Sequence, residues 1–217
     1  KKLSFLLLIL VAVACTNRST SSEQNEMRHW NNVLQQINAL LLENKARQTL
    51  DLAKQTLPEI LESAEKNGTT DTLIYYARKI FNACGNNYIN TKQYKDGIDY
   101  MDSIGNHPLI REHCPHELLS FKAGLNQLYG NNPEAVRLAE DYLQLPVCTS
   151  ANDFIRQAEI ISGVYMYSGN NLPKAIQILE KAIDVYRKGG NFPNMLRIMS
   201  RLGIYYHLSG EYEKAIA

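Results

Sequence analysis

Three alanines recur at a fixed interval near the end of this chain, and their spacing limits the fold more than any bulk property does. Ala135, Ala175 and Ala215 stand 40 residues apart, and each opens a pair with a β-branched residue: Ala135-Val136, Ala175-Ile176 and Ala215-Ile216. Each follows a glycine by five or six positions, at Gly130, Gly169 and Gly210. Gly97-Ile98 is an earlier equivalent, 38 residues before Ala135. A period of this length belongs to a supersecondary unit too small to bury its own apolar face. Successive units must therefore stack into a solenoid.

The unit is helical. Trp30, Val33, Leu34, Ile37, Leu40 and Leu41 fall on one face of a helix, and Leu50, Ala53, Leu57, Ile60, Leu61 and Ala64 do the same for the next. No segment alternates apolar and polar residues between turn signals, as a strand would. Breaks fall at Asn67-Gly68, Gly105-Asn106, Gly130-Asn131, Gly169-Asn170 and Gly189-Gly190. Gly and Asn tolerate positive φ, so these steps suit helix ends and turns. Asn132 before Pro133 reads as an N-cap followed by Pro at the first helical position. Pro58 either kinks one long helix or starts a new one. The expectation is an all-α chain of about five helical hairpins, at 30–66, 71–104, 115–145, 152–188 and 194–217, the last one truncated.

The details of these hairpins resemble the tetratricopeptide repeat (TPR). Met199, Leu202-Gly203, Tyr206, Gly210, Tyr212 and Ala215 follow its order of apolar, small, aromatic and turn residues. Ala158, Ile161-Ser162, Tyr165, Gly169, Ala175, Leu179 and Ala182 do so with one extra turn residue. Phe81, Cys84-Gly85, Tyr88, Tyr94, Gly97 and Met101 fit without the turn glycine. The 115–145 unit keeps Gly130 and Ala135 but lacks the aromatic of its first helix, and the 30–66 unit keeps only Ala46, Leu50 and Ala53. The resemblance implies a right-handed α-α superhelix, a TPR-like solenoid. Small residues at Gly85, Ser162 and Gly203 are expected to let the second helix of a hairpin approach the first. Tyr88, Tyr165 and Tyr206 are expected to fill the space between neighbours.

The same resemblance implies a binding surface. In TPR proteins the inner faces of the first helices line a groove that takes peptides or helices. Carried over by position, that face holds Lys79, Asn82, Asn86 and Asn90, then Arg156, Glu159 and Tyr167, then Arg197 and His207. Amides at Asn82, Asn86 and Asn90 suit an extended backbone, which presents one donor and one acceptor per residue. Arg156 and Arg197 suit a carboxylate. A solvated polar face is the alternative reading of these residues.

The start of the chain reads as an address. Lys1-Lys2 precedes an apolar run from Leu3 to Ala14, interrupted only by Ser4. Twelve helical residues reach about 18 Å, short of the roughly 30 Å hydrocarbon core, so the run is a signal peptide (1–14) rather than a span. Val11-Ala12-Val13-Ala14-Cys15 resembles a bacterial lipobox, which implies that Cys15 is acylated and becomes the new N-terminus. Residues 15–29 then form the lipidated Cys and a polar tether. No dense acidic run follows Cys15, which favours a periplasmic address over the outer surface.

Other chemistry is sparse. Lys+Arg is 23 and Asp+Glu is 22, a balance that excludes a broad nucleic-acid or polybasic membrane surface. No phosphate-binding, dinucleotide, nucleophile-elbow or zinc-protease motif occurs, so no enzyme, cofactor or small-molecule substrate is expected in this segment. His107, His113, Cys114, His116 and Glu117 crowd one stretch, but their spacing matches no zinc pattern and reads as a loop and helix start. Cys114 and Cys148 each precede the first helix of a unit, and an oxidising compartment would permit a disulfide between them. Ala217 stands at the start of a second helix, leaving Leu202 and Tyr206 short of cover, so the native protein is expected to continue. The chain thus reads as an exported, lipid-anchored scaffold or sensor module with a protein or peptide partner. The alternative is the periplasmic sensor region of a two-component histidine kinase whose membrane helix and kinase domain lie beyond residue 217.

Overall fold

The computed structural model describes residues 24–146, 151–189 and 192–216. Among them every regular element is an α-helix. In chain order these are α1 (24–42), α2 (Ala46–Asn67), α3 (Asp71–Asn90), α4 (Tyr94–Ile104), α5 (Pro108–His113), α6 (Pro115–Tyr129), α7 (Asn132–Gln144), α8 (Ala151–Tyr167), α9 (Leu172–Gly189), α10 (Phe192–Ser209) and α11 (Tyr212–Ile216). The chain divides into two compact units, the first ending at Ala83 and the second beginning at Cys84.

One turn is used throughout. The first helix of each hairpin ends at a residue with positive φ: Asn44 (56°), Lys92 (58°), Gly130 (97°), Asn170 (44°) and Gly210 (82°). Two positions later the second helix starts, at Ala46, Tyr94, Asn132, Leu172 and Tyr212. The residue between them donates its N–H back to a carbonyl of the preceding helix. These bonds are Lys45 to Leu40 (2.9 Å), Gln93 to Tyr88 (3.1 Å), Asn131 to Asn126 (2.8 Å) and Glu211 to Tyr206 (2.9 Å). At Asn171 the acceptor is Tyr165, one residue further back (2.9 Å), which absorbs the extra turn residue of that unit. This pattern ties off carbonyls that a helix end would otherwise leave unpaired, and it needs one left-handed residue. Gly is the usual choice there. The α3–α4 turn uses Lys92 instead, which is why no turn glycine marks that unit.

The recurring small residue follows from the turn. Gly97, Ala135, Ala175 and Ala215 make the first helical bonds, each donating to the residue after the left-handed one. Thr49 fills that slot in the first hairpin, fully buried, with its hydroxyl bonded to the Lys45 carbonyl at 3.0 Å. It lies 48 residues before Gly97, because α2 alone is 22 residues long. Pro58 sits inside α2 without ending it. Asn132, expected as an N-cap, is the first helical residue, and Asn131 holds the cap position without a side-chain cap bond.

In the first unit, Trp30, Val33 and Ile37 of α1 join Leu50, Leu57, Ile60 and Leu61 of α2 in the buried interior. Trp30 packs on the Tyr76 ring of α3 at 5.8 Å. Leu41, expected on the buried face, is exposed. Residues 24–29, expected in the tether, are helical. Glu26 accepts a bond from Ser63 (2.9 Å) and the Met27 carbonyl one from Tyr76 (3.4 Å), so this turn has partners that hold it against the unit.

In the second unit α6 packs on α4, α7 and α8, α8 on α9, and α9 on α10, which carries α11. One continuous core joins Leu138 and Tyr142 of α7, Ile161 and Tyr165 of α8, Leu179 and Ile183 of α9 and Leu202 and Tyr206 of α10. Glycines set the close approaches. A Cβ on Gly85 would stand 2.4 Å from the Phe121 ring, and one on Gly124 would stand 2.6 Å from Ile160. Gly85 thus makes room for the first helix of the next hairpin, not for its own second helix as expected. Gly203 does face its own second helix, with the Ala215 carbonyl 3.3 Å from a Cβ position. Ser162 bonds the Glu159 carbonyl within its own helix (3.0 Å). Leu202 and Tyr206 are buried rather than bare. The Tyr206 hydroxyl donates to Glu180, and Lys214 lies over its ring at 5.3 Å.

Candidate functional site

The expected surface residues do not all come together. Lys79 lies near its neighbour Tyr75, with Nζ 5.8 Å from the ring centroid, and Asn82 is half-buried on the same helix. Both belong to the first unit. Asn86 and Asn90 belong to the second, and Asn90 stands exposed at the end of α3. His207 turns away from the cluster below: its ring packs edge-on to Tyr212 of α11, 5.3 Å between centroids. Cys15 and Cys148 lie outside the described residues. Cys114 is buried between α5 and α6.

Asn86, Arg156, Glu159 and Arg197 do converge, around a buried carboxylate. The Glu159 side chain, 3% exposed, accepts a close ion pair from Arg197 Nε at 2.7 Å. Arg156 Nη1 is 3.7 Å from its other oxygen, which has no hydrogen-bond donor. Arg156 is held from the other side by its Nε–H, which donates to Asn86 Oδ1 at 2.7 Å. A third guanidinium completes the group: Arg201 Nη1 donates to the Glu159 backbone carbonyl at 2.9 Å. Sequence reasoning missed Arg201. The signal was present, since Arg197 and Arg201 are four apart and share one helix stripe.

Among the described residues, three guanidinium groups gather at the Glu159 carboxylate. Burial pulls the Arg156 pKa down, Glu159 opposes this, and the neighbouring Arg197 and Arg201 add to the fall. Arg156 is held through Nε by Asn86 and faces Glu159 with Nη1, Arg197 is held through Nε and Arg201 through Nη1. Tyr205, buried on α10, has its hydroxyl pKa raised by burial, against the pull of Arg201 and of a bond with Ser162. Tyr167, at the end of α8, is 70% exposed.

The histidine-rich stretch is used structurally. His107 caps α5, its Nδ1 accepting from the Leu109 N–H at 3.2 Å. His116 Nε2 lies 2.7 Å from the Pro146 carbonyl, and its ring meets Tyr142 edge-on. Among the described residues, no three His, Cys, Asp or Glu side chains gather as a metal ion would require.

No protein-family model matches the chain, and no curated protein does. Solved structures do. A TPR-like repeat protein of Podosopora anserina, described as a putative kinesin light chain, superposes with a TM-score of 0.52 at 12% identity, over 85% of this chain and 89% of that one. A variant structure under the same description gives 0.53 and 12%, over 85% and 88%. At such identity the likeness defines the fold alone. The chain is an all-α repeat of the TPR-like solenoid class.

Proposed function

We propose that this chain is a lipid-anchored, exported scaffold or sensor module that docks a protein or peptide segment on the first-helix face of its second unit, without catalysis in this segment. The observation that carries the reading is the arginine fork on Glu159. Glu159 is buried, whereas the Arg156 and Arg197 side chains are 38% and 54% exposed, so guanidinium donors held by one buried carboxylate still face solvent. Guanidinium groups already tied down lose little freedom on binding, so a carboxylate guest gains most of its charge-assisted hydrogen bonds. Cys15 would hold the protein at a bacterial membrane facing the periplasm, and that compartment would permit a Cys114–Cys148 bridge.

Two measurements test this. Affinity capture with the wild-type chain is compared with Arg156→Ala plus Arg197→Ala, and an unchanged set of captured partners refutes the docking face. Labelling with a fatty-acid analogue tests the anchor: Cys15→Ser abolishes incorporation if the anchor is right, and retained label refutes it.

A further inference from the structure

A small cavity of about 170 Å³ lies wholly within the first unit and shares no residue with the arginine fork. The first turns of α1, the end of α2 and the link into α3 line it. The chain turns there at Gly68, whose φ is 83°, and α3 starts where Thr70 Oγ1 accepts the Leu73 N–H at 3.2 Å. Trp30 and Leu73, both buried, and Met27 supply its apolar wall. The polar wall is one connected chain. Ser63, 7% exposed, donates its hydroxyl to Glu26 Oε2 at 2.9 Å. Asn67, one turn further along α2, donates Nδ2 to the Ser63 hydroxyl at 3.2 Å. These bonds orient the Glu26 carboxylate and the Asn67 amide, and they leave Glu26 Oε1 and Asn67 Oδ1 as acceptors. The neighbouring cation, Lys66, gives its ammonium to Glu62 at 2.6 Å. Its pKa is raised mainly by that bond, with Glu26 the smallest cause. Among the described residues no cation forms an ion pair with Glu26.

We infer that this cavity binds a small primary ammonium ion that carries one compact apolar body. Its size excludes a larger guest: a cavity of about 150 Å³ takes one benzene ring, and drug-sized ligands need roughly 300 Å³ or more. An ammonium brings three donors to two acceptors, one of them charged, and charge-assisted bonds of this kind are the strong ones. A neutral ring of the same size would strip water from the carboxylate and return nothing to it. An anion would meet a like charge. The apolar body covers Trp30, Met27 and Leu73. Nothing in the binding calls on the arginines, so the inference stands apart from the docking function proposed above.

The test uses the full chain and three probes of one size: benzylamine as its cation, benzyl alcohol and benzoate. Trp30 is the one tryptophan of the sequence, so its emission reports on the cavity wall directly. Benzylamine changes that emission saturably, benzyl alcohol binds about tenfold more weakly, and benzoate does not bind. Glu26 is half-buried, so Glu26→Gln keeps the fold, and it weakens benzylamine about tenfold while leaving the alcohol unchanged. Leu73→Phe fills the cavity and removes the saturable change, with far-ultraviolet circular dichroism confirming that the helices remain. Arg156→Ala plus Arg197→Ala leaves the affinity for benzylamine as it was. A linear, unsaturable change in emission overturns the inference, since that is collision with solvent-borne probe. Equal binding of the amine and the alcohol overturns it, as does an affinity that Glu26→Gln does not move. Failure of all three probes to bind overturns it too, and leaves the docking function untouched.

Discussion

Two glycines of the same helical layer should respond to alanine with opposite signs. At Gly85 the new methyl group would lie 2.4 Å from Cγ and Cδ2 of Phe121. Carbon atoms in contact prefer about 3.5–4.0 Å, so a shift of more than an ångström is required. Phe121 is 1% exposed and has nowhere to swing. Overpacking of this kind costs about 1–3 kcal/mol. Helix propensity returns up to about 1 kcal/mol, because Gly is the poorer helix former. Gly85→Ala should therefore destabilise by about 1–2 kcal/mol. Gly163, also inside a helix, has no neighbour nearer than 3.8 Å, which is ordinary contact. Gly163→Ala keeps the propensity gain and should stabilise by roughly 0.5–1 kcal/mol. Urea unfolding of the whole chain, followed by far-ultraviolet circular dichroism, reads both as shifts of midpoint at constant slope. If Gly85→Ala stabilised the protein as much as Gly163→Ala, the close seating of α6 on α3 at that point would be refuted.

Other changes test the turn and the ion pairs. Lys92→Gly relieves a side chain held at φ 58° and should stabilise by about 1 kcal/mol, whereas Gly130→Lys should cost about as much; the same urea curves decide. Lys174 joins α9 to Glu140 of α7 at 2.5 Å, and its hydrogen bond holds the Glu140 carboxyl below the usual carboxylate value. That contribution is fully present above the unfolded carboxylate pKa and is lost as pH falls through the lower folded one. Glu140→Gln should then cost under about 1 kcal/mol at about pH 7, since the pair is partly exposed, and should cost nothing once the carboxyl is protonated. An equal loss at both pH values would remove the ion pair as its cause.

Much of the fold was legible because the repeat is short-range. The turn inside a hairpin imposes a small residue five positions after a glycine, and that signal survives in Ala135 and Ala215 without any long-range information. It fades where another residue solves the same problem. Lys92 accepts the left-handed conformation and Thr49 fills the slot next to the turn, so the first two hairpins carry weaker marks. The candidate site was less legible. The TPR resemblance implied that Arg156, Glu159 and Arg197 share one face. It did not show that Glu159 is buried among the others, because that depends on how α8 meets α10. His207 lies against another neighbour, the ring of Tyr212 on α11.

The turn within each hairpin and the junction between hairpins are built to different tolerances. Five times, two residues carry the chain from the left-handed position to the next helix start, with backbone bonds that leave no slack. From one hairpin to the next, the link ranges from the two residues between Gly189 and Phe192 to a stretch that holds the whole of α5. Most length variation is therefore absorbed between hairpins; within them the α8–α9 turn takes up an extra residue. A foreign loop or tag inserted near Asn106 should leave the stack intact, while the same insertion at Gly130 would unpick a hairpin, so the architecture itself marks where this chain can acquire new parts.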